Sequence, residues 1–200
     1  MSATSPARLR RLSRWQAEGM REDLADLYAE STTAGTDVDY RSREDFFRRL
    51  AEDVRQPGFG MLIAETTTLA GCAFGFPVGR GSSWWHGFDG PLPPDVEHLT
   101  ASGRVFSITA IVVHPRERDR GLTERLQKRL FADHQVSLGV TLVDRADEYA
   151  VRAFAALGWR QIGELRRPTG PAVLRVLALD LGNARSAAPG QLGRHDSTQG

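Results

Sequence analysis

The stretch VVHPRERDRGLTERLQKRL, residues 112–130, constrains the fold more than any other part of the chain. Two β-branched residues run towards Pro115. Charged residues at 116–120 crowd against Gly121, and an amphipathic helix follows at once. The apolar run RVFSITAIVV, 104–113, therefore reads as a central strand that stops at the proline and turns directly into a helix over 120–134. At such a turn the first N–H groups of the helix converge on one point. They have no partner within the helix and carry partial positive charge, so they form a ready anion site. Gly121 permits an otherwise strained backbone and the close approach of a ligand. Arg116, Arg118 and Arg120 add charge in a form that suits phosphate oxygens. The segment thus reads either as a cradle for a pyrophosphate or as a plain strand–turn–helix with solvated arginines. Local physics does not choose between them.

Composition narrows the classes. The chain has 200 residues, 40% hydrophobic and 26% charged, which is one ordinary globular domain. A formal net charge of +1 argues against a general binder of nucleic acid or membrane surfaces. Lys128 is the sole lysine among 26 basic residues, a bias that matches a high-GC genome and says little about function. Cys72 stands alone, so no intrachain disulfide forms, and TLAGCAFGF makes it a small apolar strand residue. No apolar run approaches the roughly 20 residues of a spanning helix. The N-terminus has arginines without an apolar stretch, so the expected location is cytoplasmic. The five histidines, at 86, 98, 114, 134 and 195, make no short-spaced ligand pair, and no metal is expected. No G-K-[ST] phosphate loop occurs.

Along the rest of the chain, residues 1–7 read as a flexible N-terminus and 8–182 as a single domain. ARLRRLS (7–13) is a short edge strand. Residues 15–32 form a helix with Met20, Leu24, Leu27 and Tyr28 on one face. A polar break at 36–40 precedes a helix over 42–55, with a capping pattern at Ser42 and Asp45 and a stripe of Phe46, Phe47, Leu50 and Val54. FGMLIAET (59–66) and TLAGCAFGFPV (68–78) make a hairpin. Residues 79–103 have no clear period and read as an irregular insertion. LGVTLVD (138–144) is a strand, 146–157 a helix closed by Gly158, and WRQIGEL and PAVLRVLALDL two final strands. Residues 183–200 read as a disordered tail. The order predicts an α/β protein with a mixed sheet flanked by helices.

Val113-x-Pro115-x-x-Arg118-Asp119-Arg120-Gly121-Leu122-Thr123 resembles the acyl-CoA signature of the GNAT superfamily of N-acetyltransferases, V-x-P-x-x-R/Q-x-x-G-x-G/A. Asp147-Glu148-Tyr149-Ala150, followed by Phe154-Ala155-Ala156-Leu157-Gly158-Trp159, is similar to that family's N-x-x-A-x-x-x-Y-x-x-L-G-F/W segment. The element order is similar too, over roughly residues 8–180, and the WWHGFDGPLPP insertion is similar to that of many actinobacterial members. The resemblance implies the GNAT fold and acetyl-CoA as acyl donor. The amides of residues 118–123 would hold its pyrophosphate, and the strand edge at Ile111, Val112 and Val113 its pantetheine arm. Asp147, Ala150 and Phe154 would complete the cofactor side. It also implies direct transfer of the acetyl group to a primary amine of a small molecule or peptide, with a backbone N–H stabilising the oxyanion. A homodimer is compatible with that fold.

Three positions depart from the family pattern. Thr123 replaces a small residue but keeps its amide. Asp147 replaces asparagine, either weakening a cofactor contact or capping the helix. Phe154 replaces a tyrosine thought to protonate the departing thiolate. Tyr149, Ser107, Thr109 and solvent are the alternative donors. The central strand also lacks the carboxylate that serves as base in relatives. Candidate bases are then Glu65, His86, Asp89, Glu97, His98 and His114. Trp84 and Trp85, with His86, are candidates to wall an acceptor pocket, aromatic faces being able to hold a cationic amine; they also suit packing of the insertion onto the sheet. Two alternatives follow from the departures: a non-catalytic acyl-CoA-binding module, or a transferase for a longer acyl chain.

Overall fold

The computed structural model describes residues 6–31, 36–168 and 170–182, with the backbone alone at 36–42, 118 and 119. The expected tail at 183–200 and the first five residues lie outside these. Seven strands form one sheet: β1 (Arg8–Leu12), β2 (Gly60–Glu65), β3 (Leu69–Val78), β4 (Val105–Val113), β5 (Leu138–Asp144), β6 (Arg160–Arg166) and β7 (Val173–Asp180). Their order is β1-β2-β3-β4-β5-β7-β6. Every neighbouring pair is antiparallel except β4–β5. The helices are α1 (Arg14–Gly19), α2 (Arg21–Ser31), α3 (Thr36–Asp53), α4 (Pro94–Ala101), α5 (Leu122–His134) and α6 (Glu148–Ala156).

The central strands are buried on both faces, and their alternation sorts side chains into two layers. On β2, Leu62 and Ala64 pack with Leu122, Leu126, Leu130 and Phe131 of α5. Met61 and Ile63 point the other way, against Leu24 and Leu27 of α2 and Phe46 and Leu50 of α3. Cys72 lies in this second layer with no exposed surface, and burial pushes its thiol up to about 12, so it packs and does not react at neutral pH. A third cluster, around Trp84, Val96, Val105 and Leu165, anchors the insertion to the sheet.

Four local expectations are corrected. The helix expected over 15–32 is two, α1 and α2, meeting at Met20. A full capping box at Ser13 and Gln16 starts the first. The expected break at 36–40 is already helical backbone, so Ser42 lies inside α3 and not at its start. The insertion at 79–103 is not irregular throughout. It contains a 3₁₀ turn, Ser83–Trp85, and α4, which opens on Pro94. Only Val96 of α4 is a fully buried apolar residue, with Leu99 partly buried, so eight residues carry too little periodicity to announce a helix. The N-terminal segment expected to end at residue 7 joins the packed domain one residue earlier: Ala7 is buried, and its carbonyl accepts from Nη2 of Arg125 at 2.7 Å. No helix of the described residues is long and apolar enough to cross a membrane.

Candidate active site

β4 and β5 pair only at Val105–Leu138, Phe106–Gly139 and Ser107–Val140. Beyond Ser107, β4 stays with β3 and β5 stays with β7, so the two parallel strands part. The hydroxyl of Thr141 donates to the carbonyl of Ile108 at 2.8 Å where they separate. The gap opens into a cavity of about 650 Å³, walled by residues 109–112 of β4 on one side and 142–144 of β5 on the other. The β4 backbone there has no ladder partner on the β5 side, leaving main-chain groups for a ligand to pair with. Ala150 and Phe154 of α6 close the floor.

β4 is also irregular on its other edge. The register with β3 steps from Phe74–Ala110 to Gly75–Ile108, so Thr109 is an extra residue, a β-bulge. Phe106 and Ile108 pack beneath α5, whereas Ala110 and Val112 pack with α2 and α3. The bulge turns Thr109 the same way as Ala110, and its hydroxyl hydrogen-bonds the carboxyl of Asp53, the last residue of α3. Asp53 is only 8% exposed and lines the cavity, and its Oδ2 has no hydrogen-bond partner among the described residues. Burial pushes its pKa up to about 6. The Thr109 hydroxyl and the charge of Arg49 act against that rise, and Glu52 adds to it. A carboxyl poised near neutrality in a cavity lining, with one oxygen unpartnered, is suited to accept a proton.

Asp53 is absent from the candidates drawn from sequence, yet a signal was there. It lies three residues after Leu50 and seven after Phe46, on the apolar stripe of its own helix. An acid at that register is buried against the sheet.

The expected site residues divide. Ser107 and Thr109 both line the cavity. Ser107 is already engaged: its Oγ accepts from Nε1 of buried Trp84 at 2.9 Å, which fixes the indole in the cavity wall. Tyr149 is 73% exposed and lies outside the cavity lining. Glu65 is at the other side of the sheet, in a two-pronged pair with Arg10 at 3.1 and 3.2 Å. Trp85 packs edge-on against Trp84 and Phe88 and does not reach the cavity. His86, Asp89, Glu97 and His98 are exposed on the insertion, away from the lining. His114 caps the turn after β4, its Nδ1 accepting from the N–H of Arg116 at 3.2 Å, while Nε2 lies 3.4 Å from Glu30.

On the expected cofactor side, Ile111, Val112, Asp147, Ala150 and Phe154 line the cavity; Val113 is buried beyond it. Asp147 is the helix cap, its Oδ1 accepting from the N–H of Ala150 at 2.9 Å. Phe154 stands edge-on to Trp159, centroids 5.3 Å apart, and the Trp159 indole donates to Gln127 at 2.8 Å. The turn after β4 is a 3₁₀ segment, Pro115–Arg120, ending in Gly121 at φ +65°, directly before α5. The side chains of Arg118 and Asp119 lie outside the described residues. Arg120 is paired with Glu117 at 3.1 Å, so its charge is partly spent within the turn. Leu122 is rooted in the core and Thr123 follows it in the first turn of α5. The parted strand edge and this helix start fit an acyl-CoA: one offers backbone pairing for an extended arm, the other an anion cradle.

Space at Gly121 is open: a Cβ placed there would meet no atom within 4 Å, so only the left-handed backbone demands glycine. Gly121→Val is therefore expected to reset the turn without a clash. Acetyl-CoA affinity measured by calorimetry should fall at least about tenfold, with a stability loss of roughly 1–2 kcal/mol. Unchanged affinity would remove the turn from the anion site.

No family model matches the chain, and no curated protein does. Solved structures do match in fold. A proposed acetyltransferase of the GNAT family from Desulfovibrio desulfuricans superposes with a TM-score of 0.58 at 16% identity, covering 87% of this chain and 98% of its own. The loading GNATL domain of CurA from Lyngbya majuscula gives 0.57 at 16%, covering 90% and 100%. The PaiA N-acetyltransferase from Thermoplasma acidophilum, solved with coenzyme A, gives 0.55 at 10%, covering 88% and 99%. With its parted β4 and β5 and seven-stranded mixed sheet, this chain has the fold of the GNAT acetyltransferases.

Proposed function

We propose that the protein is an N-acyltransferase of the GNAT superfamily that moves an acetyl group from acetyl-CoA directly to a primary amine. The observation that carries this reading is the cavity where β4 and β5 separate, with Asp53 in its lining and the buried Oδ2 of that carboxyl left without a hydrogen-bond partner among the described residues. Acetyl-CoA supplies a thioester carbonyl activated for attack. The chain's part is to align that carbonyl along the open β4 edge and to hold the pyrophosphate at the start of α5. Asp53 takes the proton that the ammonium form must lose, directly or through one water. Nitrogen then bonds to the carbonyl carbon, the carbon–sulfur bond breaks, and coenzyme A leaves as a thiolate. Phe154 cannot protonate it, so the thiolate takes its proton from solvent or the acceptor.

Free-thiol release from acetyl-CoA by the full chain, screened over amines, aminoglycosides, amino acids and peptides, tests this. Calorimetry with acetyl-CoA runs beside it. Micromolar binding with amine-dependent thiol release is expected. Binding without release from any amine would favour an acyl-CoA-binding module, and no binding would overturn the proposal.

A further inference from the structure

Arg167 follows β6 and reaches into the same cavity. Its Nη1 donates to the carbonyl of Ser83 at 3.0 Å, beside Trp84. A guanidinium has five N–H donors, and one carbonyl cannot satisfy them. Arg10, Arg43, Arg129 and Arg145 each face a carboxylate. Arg167 has no such pair among the described residues. It is half-buried, and burial lowers its pKa with no acid acting the other way. A desolvated cation in a cavity wall is costly unless an anion arrives to meet it.

The acids of the cavity are not that anion. Asp53 is held by Thr109 and feels Arg49, not Arg167. The Oδ1 atoms of Asp144 and Asp147 accept from the N–H groups of Ala146 and Ala150, at 2.8 and 2.9 Å. Asp53 meets β4 at Thr109, whereas Arg167 sits by Trp84, which is tied to Ser107 two residues earlier, roughly 7 Å along a strand. The cavity thus presents a proton acceptor at one point and an unpaired guanidinium at another.

We infer that the acceptor is an amine that also carries an anionic group, a carboxylate or a phosphate, and that Arg167 binds that group while the amine faces Asp53. The inference rests on the acyltransferase reading above. A polyamine is disfavoured, because it would bring no anion to Arg167. Arginine's planar fork suits both oxyanion classes.

The test uses the full chain with acetyl-CoA and compares free amino acids with their carboxamides, phosphoethanolamine with ethanolamine, and spermidine. Expected is a kcat/KM at least about tenfold higher for the anionic member of one pair; which pair responds separates carboxylate from phosphate. Arg167→Gln should erase that preference through KM, and Arg167→Lys should restore part of it. Acetyl-CoA affinity should stay unchanged in both variants. Equal use of anionic and neutral partners, preference for spermidine, equal slowing of both partners by Arg167→Gln, or loss of acetyl-CoA binding in the variants would each overturn the inference. Should no amine release thiol, the acyltransferase reading fails by itself. Calorimetry of the same pairs on the coenzyme A-saturated chain still decides: selective binding of the anionic member, lost in Arg167→Gln, supports the anion site, and indistinguishable binding overturns it.

Discussion

Asp53→Asn is expected to lower kcat/KM about 10²–10³-fold at pH 8 while leaving acetyl-CoA affinity unchanged. Asparagine keeps the size and the bond to Thr109 but cannot take a proton. In the native protein the carboxylate is the active form, so kcat/KM should fall on the acid side with a limb near the Asp53 pKa of about 6. The variant should lack that limb. Stability should move the other way. The folded-state pKa lies above the ordinary 3.8, so folding favours the protonated form. The native protein therefore loses stability as pH rises from about 4 to about 6, and the asparagine variant does not. Above that window the variant should be more stable by about 1–3 kcal/mol, seen as a higher Tm at pH 8 but not at pH 3.5. An unchanged rate at pH 8 would take Asp53 out of the chemistry, whatever the Tm does.

The second large effect is expected from one methyl group on β3. In Gly75→Ala the new Cβ would lie 1.8 Å from the carbonyl oxygen of Ser107 and 2.9 Å from the Phe106 ring. The nearest atom is backbone, so no side chain can swing aside. β3 must move away from β4 or the bulge must reset, and the cost should be roughly 3 kcal/mol or more. Denaturant midpoints measure it. Gly79→Ala is the control: nothing lies within 4 Å of its Cβ and its φ is not in the left-handed region, so its effect should stay within about 0.5 kcal/mol. Since the bulge also carries Thr109 to Asp53, the folded fraction of Gly75→Ala should lose activity too. Wild-type stability in Gly75→Ala would mean that β3 and β4 yield more easily than their register implies.

The sheet and the strand–turn–helix were legible because their signals are local. An apolar strand, a proline, a left-handed glycine and a helical period each act over a few residues. Asp147 as a helix cap was legible for the same reason. What stayed hidden depends on register between distant segments. The bulge at Thr109 arises from how β3 pairs with β4, and it alone brings the Thr109 hydroxyl to Asp53. Glu65 and Tyr149 have suitable chemistry, but sequence does not say that one pairs with Arg10 and the other points to solvent. Arg167 looks like any loop arginine until the insertion folds Ser83 against it. α4 was missed since its one buried apolar side chain is set by packing under the insertion, not by a repeating pattern.

The short β4–β5 ladder has a consequence for how the molecule holds together. Across the centre of the sheet, the ladder between β4 and β5 has three residue pairs, extended at one end by the N–H groups of Ser137 and Leu138 on the Arg104 carbonyl and at the other by one threonine hydroxyl. The middle of the protein is thus a seam that the polypeptide leaves half sewn. A ligand with extended, amide-bearing atoms can act there as the missing stitching thread. Its affinity would then appear as mechanical closure of the two sides, with slower amide exchange on both lips of the gap and a higher unfolding temperature that follows ligand concentration.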